Sequence, residues 1–338
     1  MKPPQHTLTP QTVGAGRFDS RDILIIGIAV ALAAVIRVVF YRGFFSPDET
    51  NYLRHAAEWW TGRYELEHAL FLHETRPLMF APVAWFFTAF GVWEATALMW
   101  PFAASILVVV LVYLTARMLF GRTTAAYTAF CSAFLPLLVM ESTRLLPGAI
   151  MNLLFALCAF FLVIAERSNQ RRWFWLALSG ISYAAIQIAG ELGIVLCLAY
   201  LAAVIVWRRH SLWSYWPAIA GFALVTAAVV FYHWIETGNP LFKIDLSRRI
   251  LHQVKSVAPH QPLYYTRLLL APFAGMGGIT LLAGIGFVAA AIQRRRDALF
   301  VGLWFLMTYV LLEFGSVSLT EYQQLSKEVR YFSVVSVP

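Results

Sequence analysis

The sequence predicts an all-α fold, a polytopic bundle of membrane-spanning helices. Of its 338 residues, 60% are hydrophobic and only 13% are charged, whereas soluble globular proteins average about 25% charged residues. Long apolar runs repeat along the whole chain, and most approach the roughly 20 residues that a helix needs to cross a bilayer. Small groups of arginines separate these runs, as is typical of cytoplasmic loops. Together these observations predict one membrane domain rather than soluble domains.

The net charge of +8 does not indicate nucleic-acid binding. A nucleic-acid groove needs basic residues clustered on one face with interleaved aromatic rings, and the chain has no such run. Its basic residues lie between apolar runs instead, so we expect a lipid bilayer as partner and no nucleic acid.

Nine apolar runs are predicted to span the membrane. They are residues 23–40, 95–120, 125–140, 145–165, 173–188, 192–207, 215–235, 268–292 and 299–314. A further run, 78–90, is shorter and is ended by Gly91, which predicts a membrane-embedded helix that does not cross. Arg37 lies near the far end of the first run, where we expect its side chain to extend to the interface.

The alternation of basic loops predicts the topology. With a cytoplasmic N-terminus, the arginine groups fall in inner loops, and the two long polar loops, 41–77 and 236–267, fall on the outer face. We expect residues 1–21 to be a disordered cytoplasmic tail and residues 22–338 to form the transmembrane domain. The final apolar run, 331–338, is too short to span a bilayer, so further helices are expected beyond it.

The first outer loop begins with a helix start, Ser46-Pro47-Asp48-Glu49. A serine that caps a helix, a proline at the first helical position and a glutamate three residues after the cap are typical of a helix N-terminus. The helix is predicted to run to about Thr61 and to be amphipathic, lying at the membrane surface. Acidic residues in a first turn also complement the helix dipole, so spacing alone leaves a purely structural role open.

We expect no cofactor. Three histidines of the first outer loop accompany three glutamates, and a divalent metal is conceivable there, but no compact ligand spacing is present. These residues are His55, His68, His73, Glu65, Glu67 and Glu74. The three cysteines, odd in number and inside apolar runs, indicate neither a zinc site nor a disulfide framework.

Three stretches carry a resemblance to a known family. FSPDETNYLRHAAEWWTGRY, HETRPLMFAPVAWFFTAFG and ALMWPFAASILVVVLVYLTARMLFG resemble the opening of GT-C glycosyltransferases. They are most similar to the branch with protein O-mannosyltransferases and the lipid A aminoarabinose transferase. The residues that match are Asp48-Glu49, Arg76-Pro77 and Arg117-Met118-Leu119-Phe120-Gly121, with weaker matches at Thr237-Gly238-Asn239-Pro240-Leu241-Phe242 and Arg330-Tyr331.

The resemblance implies a membrane glycosyltransferase of the plasma (inner) membrane. It would move a sugar from a polyprenyl-phosphate donor to a hydroxyl of a glycan, lipid or protein acceptor, with inversion, on the extracytoplasmic face. Asp48 would be the catalytic base. Glu49 would have a supporting role, either orienting the acceptor or capping the helix. Arg76 would bind the leaving phosphate, and the further candidates for this role are Arg144, Arg248, Arg249 and Lys255.

Two positions depart from the family pattern. Relatives often have an acidic residue where this chain has Gly148, and a basic residue near the turn that holds Glu191 here. Two alternatives to an enzyme also stay open. A transporter or flippase of a lipid-linked glycan would need ionisable residues buried along a path through the spans, and few are apparent. A catalytically idle scaffold would be favoured by loss of the Asp-Glu pair, which is present.

Overall fold

The computed structural model describes most of the chain. The described residues are 18–41, 43–44, 46–66, 69–168, 170–190, 194–207, 211–254, 263–270, 279–293 and 295–315. Throughout these ranges the regular structure is helical. The helices are α1 (Ser20–Val39), α2 (Pro47–Trp60), α3 (Pro77–Phe90), α4 (Glu94–Phe120), α5 (Arg122–Phe134), α6 (Pro136–Ser142), α7 (Pro147–Arg167), α8 (Arg172–Ala189), α9 (Ile194–Trp207), α10 (Trp216–Thr237), α11 (Phe242–Val254), α12 (Tyr264–Leu270), α13 (Ile279–Ile292) and α14 (Arg296–Phe314), with 3₁₀ turns at Leu72–Thr75 and Leu212–Tyr215.

The chain is an integral membrane protein. In the described part, five helices are long and apolar enough to cross a membrane: α1, α4, α7, α10 with its preceding turn, and α14. The bent pair α5 and α6 would make a sixth. The predicted spans 173–188 and 192–207 correspond to α8 and α9, which are shorter or less apolar than those five. As predicted, α3 is too short to cross and ends at Gly91, which has a φ of 81°.

Two predicted boundaries were wrong, one inside the run 125–140 and one at the N-terminus. The run 125–140 is not one straight span, because α5 and α6 meet at a 56° bend. Pro136 explains the bend, since it lacks an N–H group and its ring clashes with the preceding turn. The run 268–292 begins inside α12 and ends with α13, and residues 271–278 between these helices lie outside the described residues. At the N-terminus, α1 begins at Ser20, inside the predicted tail, because Asp19 caps it.

The core of the bundle is built around α7. Most of its residues are buried, and it packs against α4 and α8. Helix α8 in turn packs against α10 through glycines. A Cβ added at Gly180 would lie 1.9 Å from the carbonyl oxygen of Ala218, and one at Gly221 would lie 2.3 Å from that of Ala177. Small residues therefore set the close approach of these two helices, as in many membrane proteins.

Arg37 was predicted to extend to the membrane interface, but neighbouring helices bury its side chain instead. Its side chain is 1% exposed. Its Nε donates to Ser105 Oγ at 2.8 Å, and its Nη1 donates to the carbonyl oxygens of Ala33 (3.0 Å) and Ala133 (3.3 Å). Ala133 lies in the last turn of α5, just before the bend. The guanidinium therefore satisfies a backbone carbonyl at the place where the span is broken.

Arg117, near the end of α4, and Arg122, at the start of α5, belong to a cluster of ion pairs rather than to a simple charged loop. Arg117 and Arg122 both bond Oδ1 of the fully buried Asp22, at 3.1 and 3.0 Å, and Arg122 also contacts Asp19. Gly121, between the two helices, has a φ of 92°, a backbone conformation that favours glycine. The cluster ties the start of α1 to the α4–α5 turn.

The two long polar loops meet at one end of the bundle. Leu66 and Ala69 of the first loop pack with Phe242 and Leu246 of α11, and α11 also contacts the 3₁₀ turn Leu72–Thr75. Residues 238–241 form the turn between α10 and α11, and Gly238 has a left-handed φ of 68°. This arrangement agrees with the prediction that both loops lie on the same side.

Candidate active site

The start of α2 forms as its sequence predicts. Ser46 Oγ accepts a hydrogen bond from the Asp48 backbone N–H at 3.3 Å, and Glu49 Oε2 accepts one from the Ser46 N–H at 2.8 Å. The Ser46 side chain also accepts from the backbone N–H of Glu49, so Ser46 and Glu49 form a capping box. The helix ends at Trp60, and Gly62 follows with a φ of 67°. The sequence prediction for this helix is therefore confirmed at both ends.

Glu49 is fully buried and joins α2 to a turn far away in the chain. Its carboxylate lies 3.3 and 3.4 Å from Nε and Nη2 of Arg144, in the turn between α6 and α7. The capping role expected for Glu49 is confirmed. Arg144, expected to bind the donor phosphate, already contacts a carboxylate, and its proposed contact with phosphate stays a prediction.

The Asp48 side chain lies on a different face of α2 from that of Glu49. It is half-buried, whereas Glu49 is fully buried. Residues four apart lie on the same face of a helix, so Tyr52 follows Asp48 one turn later. The Tyr52 hydroxyl accepts a hydrogen bond from Nη1 of Arg76. The structure thus brings the predicted base and the predicted phosphate ligand to the same face of α2.

The charges of Asp48 and Arg76 both act on the pKa of His73. The pKa of His73 is lowered to about 4, chiefly by burial and also by the charges of His55 and Arg76, while the charge of Asp48 opposes the shift. The ring is therefore neutral at physiological pH. The fact that both Arg76 and Asp48 act on this pKa indicates that they share one neighbourhood.

Arg76 is held by the segment that precedes α3. It directly follows the 3₁₀ turn Leu72–Thr75 and precedes Pro77, which opens α3. The Tyr64 hydroxyl donates to the Glu74 carbonyl oxygen, and burial raises the pKa of this hydroxyl well above its usual range. Thr75 Oγ1 donates a hydrogen bond to the Leu72 carbonyl oxygen at 2.8 Å, which closes the turn. A fixed turn therefore orients the guanidinium.

The histidines and glutamates of the first loop are more compact in space than their spacing in the sequence suggests. Ligand atoms of His55, His73 and Glu74 all lie within 4.8 Å of one another. His68 and Glu67 lie outside the described residues. The structure thus identifies a set of side chains that offers two imidazoles and one carboxylate to a metal ion.

The remaining predicted phosphate ligands lie on α11. Arg248 and Arg249 are both exposed, and Arg248 lies 3.9 Å from Asp245. Arg248 also lines a cavity of about 530 Å³ between α8, α10 and α11. Lys255, Glu191 and Arg330-Tyr331 lie outside the described residues.

Two mostly apolar cavities follow α10 toward Arg76. The first, of about 530 Å³, shares Val229 and His233 with a second of about 360 Å³. The second cavity is lined at its other side by Trp59, Thr75 and Pro77. Because the two cavities share lining residues, they form one groove, which reaches Thr75 and Pro77, the neighbours of Arg76 in the chain. Sequence reasoning missed this groove, since its walls come from five separate helices and a turn.

The glycine that departs from the family pattern contacts an acidic residue that sequence reasoning missed. A Cβ added at Gly148 would lie 1.8 Å from Oε2 of Glu141, whose side chain is fully buried in α6. Glu141 therefore places a carboxylate in the space that a side chain at position 148 would fill. Its only signal in the sequence was a single acid in the short stretch between the predicted spans 125–140 and 145–165.

The chain matches a family model over part of its length. The model describes dolichyl-phosphate-mannose-protein mannosyltransferases, and it matches residues 75–234. This range begins just before Arg76 and ends near the end of α10. A comparison with curated proteins finds no match.

Solved structures match nearly all of the chain. The crystal structure of ArnT from Cupriavidus metallidurans bound to undecaprenyl phosphate has a TM-score of 0.72 at 18% identity, covering 93% of this chain and 58% of that one. The Archaeoglobus fulgidus oligosaccharyltransferase, tethered with an acceptor peptide, has a TM-score of 0.59 at 12% identity, covering 94% and 48%. The chain thus spans about half the length of these proteins. The resemblance found in the sequence is confirmed. The two solved structures show that this chain shares their fold.

Proposed function

We propose that this chain, a membrane protein with the GT-C fold, is an inverting glycosyltransferase that uses a polyprenyl-phosphate sugar and acts on the extracytoplasmic face. The observation that carries the proposal is that Arg76 bonds Tyr52, one helical turn after Asp48 on the same face of α2, and that the groove along α10 reaches the neighbours of Arg76. An acceptor hydroxyl needs a base, and a leaving phosphate needs positive charge.

In the proposed reaction the acceptor oxygen attacks the anomeric carbon in a single displacement, which inverts its configuration. A C–O bond to the acceptor forms as the bond from the anomeric carbon to the phosphate oxygen breaks. Asp48 takes the hydroxyl proton, and the electron pair of the broken bond stays with the polyprenyl phosphate. Arg76 stabilises that phosphate, because a guanidinium matches the geometry of phosphate oxygens.

The groove supports a lipid-linked donor. A polyprenyl chain needs an apolar surface that leads to the phosphate site, and the walls contributed by α10 are mostly apolar. Lys243 and Arg248 line the larger cavity and add positive charge near it. One similar structure, that of ArnT, is described as bound to undecaprenyl phosphate, a molecule of this chemical class.

The supporting groups are proposed to act by holding Asp48 in place. Glu49 fixes the first turn of α2 through the capping box and through Arg144. This first turn sets the direction in which the Asp48 side chain projects from α2. Its neighbour in sequence thus contributes orientation, and Asp48 itself contributes proton transfer.

The decisive experiment is transfer by Asp48→Asn in the full-length protein. Membranes are assayed with a panel of radiolabelled polyprenyl-phosphate sugars, and folding is checked by monodispersity after solubilisation. We expect transfer to fall by roughly 10²- to 10⁴-fold, the usual contribution of a general base. The matched control is Asp297→Asn. Asp297 pairs with Arg167, at the far end of the 21-residue α7 and therefore roughly 30 Å from the Arg144 end.

Three outcomes decide the proposal. Loss of transfer in Asp48→Asn alone supports it. Wild-type transfer in Asp48→Asn removes Asp48 from the reaction. If the wild type uses no donor of the panel but moves a lipid-linked glycan across vesicles, the transporter reading replaces the enzyme.

A further inference from the structure

We propose that His55, His73 and Glu74 bind one divalent transition-metal ion of the zinc class. The site joins α2 to the 3₁₀ turn Leu72–Thr75. The inference rests on the geometry of these three side chains and is independent of the proposed glycosyl transfer, because the ion is measured on the protein itself.

The three ligand atoms converge on one point. Oε1 of Glu74 lies 4.0 Å from Nε2 of His55 and 3.9 Å from Nε2 of His73, and the ligand atoms of the three residues are within 4.8 Å of one another. Ligands bound to one zinc ion at about 2.0–2.2 Å lie roughly 3–3.5 Å apart. Each side chain therefore needs to move by less than about 1 Å to coordinate an ion.

Two buried nitrogens lack a protein partner. The Nε2 atoms of both His55 and His73 are shielded from solvent and accept or donate no hydrogen bond in the described part of the chain. The His55 side chain is only 4% exposed. Leaving a buried polar atom unsatisfied costs about 1–3 kcal/mol. A metal ion between the rings would give both nitrogens a partner at once.

The atoms behind the ligands are arranged to hold them. His55 Nδ1 lies 3.0 Å from Oε2 of Glu58. A carboxylate at this nitrogen fixes the tautomer that leaves the Nε2 lone pair free for a metal. The other ring, His73, stacks on Phe71 with centroids 5.3 Å apart, which fixes its orientation.

Glu74 is oriented in the same way. Its Oε2 accepts hydrogen bonds from the backbone N–H groups of Leu70 (2.6 Å) and Phe71 (3.4 Å), so its Oε1 is the atom that faces the imidazoles. Arg54 also approaches Oε1, at 3.9 Å, but it is 55% exposed and contacts Glu58 as well. The arginine thus has an alternative partner when an ion takes its place.

The ligand set selects the class of metal. Imidazole suits zinc and other transition metals, whereas magnesium and calcium prefer sites made of oxygen. Three protein ligands leave a fourth position for water or a bound molecule. An ion here would tie Leu72–Thr75 to α2, and therefore hold the neighbouring Arg76 at a fixed distance from Tyr52.

The first test measures metal content directly. Full-length protein without a polyhistidine tag is purified in detergent, stripped with EDTA, incubated with Zn²⁺ and desalted, and metal is counted by mass spectrometry. We expect about one zinc per chain in the wild type, and at least a fivefold loss in both His73→Gln and Glu74→Gln. His233→Gln is the control, because His233 is also a buried histidine but lies on α10.

A second measurement keeps the test informative if a variant fails to fold. Co²⁺ replaces Zn²⁺ in the wild type, and the visible absorption of a four-coordinate site is recorded during titration. Glu58→Gln is expected to bind 10- to 100-fold more weakly while keeping the spectrum, because it loses only the support behind His55. The proposal is overturned if the wild type retains no zinc and shows no such spectrum. It is also overturned if folded variants bind as the wild type does.

Discussion

Replacement of Gly148 by alanine tests how tightly Glu141 is held. The added Cβ would lie 1.8 Å from Oε2, 2.4 Å from Cδ and 2.9 Å from Cγ of Glu141. Non-bonded heavy atoms at their optimum are about 3.5–4.0 Å apart, so the carboxylate must retreat by roughly 1.5–2 Å. Glu141 is fully buried, and packed interiors resist such a shift at a cost of about 1–3 kcal/mol.

A double-mutant cycle isolates this clash. In a Glu141→Ala background the obstructing atoms are gone, so Gly148→Ala is expected to be neutral or to stabilise by up to about 1 kcal/mol through helix propensity. The two substitutions should therefore couple by about 1–3 kcal/mol, within the range seen for residues in contact. The free energy of unfolding is measured by titrating SDS into detergent micelles and following tryptophan fluorescence.

Gly27→Ala provides the matched control. Gly27 is also helical, and a Cβ added there would meet no heavy atom within 4 Å. The reasoning would be refuted if Gly148→Ala and Gly27→Ala change the free energy of unfolding equally. Additive effects in the cycle would refute it as well, because they would mean that the two side-chain positions do not share space.

Two further predictions concern a buried ion pair and a close contact between two helices. Arg144→Met is expected to destabilise the protein by about 3–5 kcal/mol in the same unfolding assay, because it leaves the buried Glu49 carboxylate without its arginine. The double variant with Glu49→Gln should recover part of this loss, and no recovery would contradict the pairing. Gly180→Leu is expected to separate α8 from α10, since even a Cβ there would lie 1.9 Å from a backbone oxygen that has little room to move. Gel filtration should show loss of the monodisperse peak, whereas an unchanged peak would disprove this contact.

Local sequence patterns predicted the elements that depend on neighbours in the chain. Ser46, Pro47 and Glu49 determine the start of α2 by themselves, and Gly91 ends α3 because its conformation favours glycine. The apolar runs likewise gave most spans to within a few residues. In contrast, the run 125–140 was predicted as one span, whereas Pro136 begins a separate helix after a 56° bend.

The candidate site was predictable only in part. Asp48 and Arg76 were identified because they match motifs of the family that the sequence resembles, Asp48-Glu49 and Arg76-Pro77. The contact between Glu49 and Arg144 joins residues 95 apart in the chain, and no local pattern indicates it. The burial of Arg37 is of the same kind, because its acceptors come from helices distant in sequence. Long-range contacts of this kind require the assembled bundle.

The attachment of Glu49 has a mechanical consequence. The same carboxylate closes the cap of α2 on Ser46 and contacts Arg144 between α6 and α7. Because one carboxylate makes both contacts, a shift of the turn between α6 and α7 would be transmitted directly to the first turn of α2, which carries Asp48.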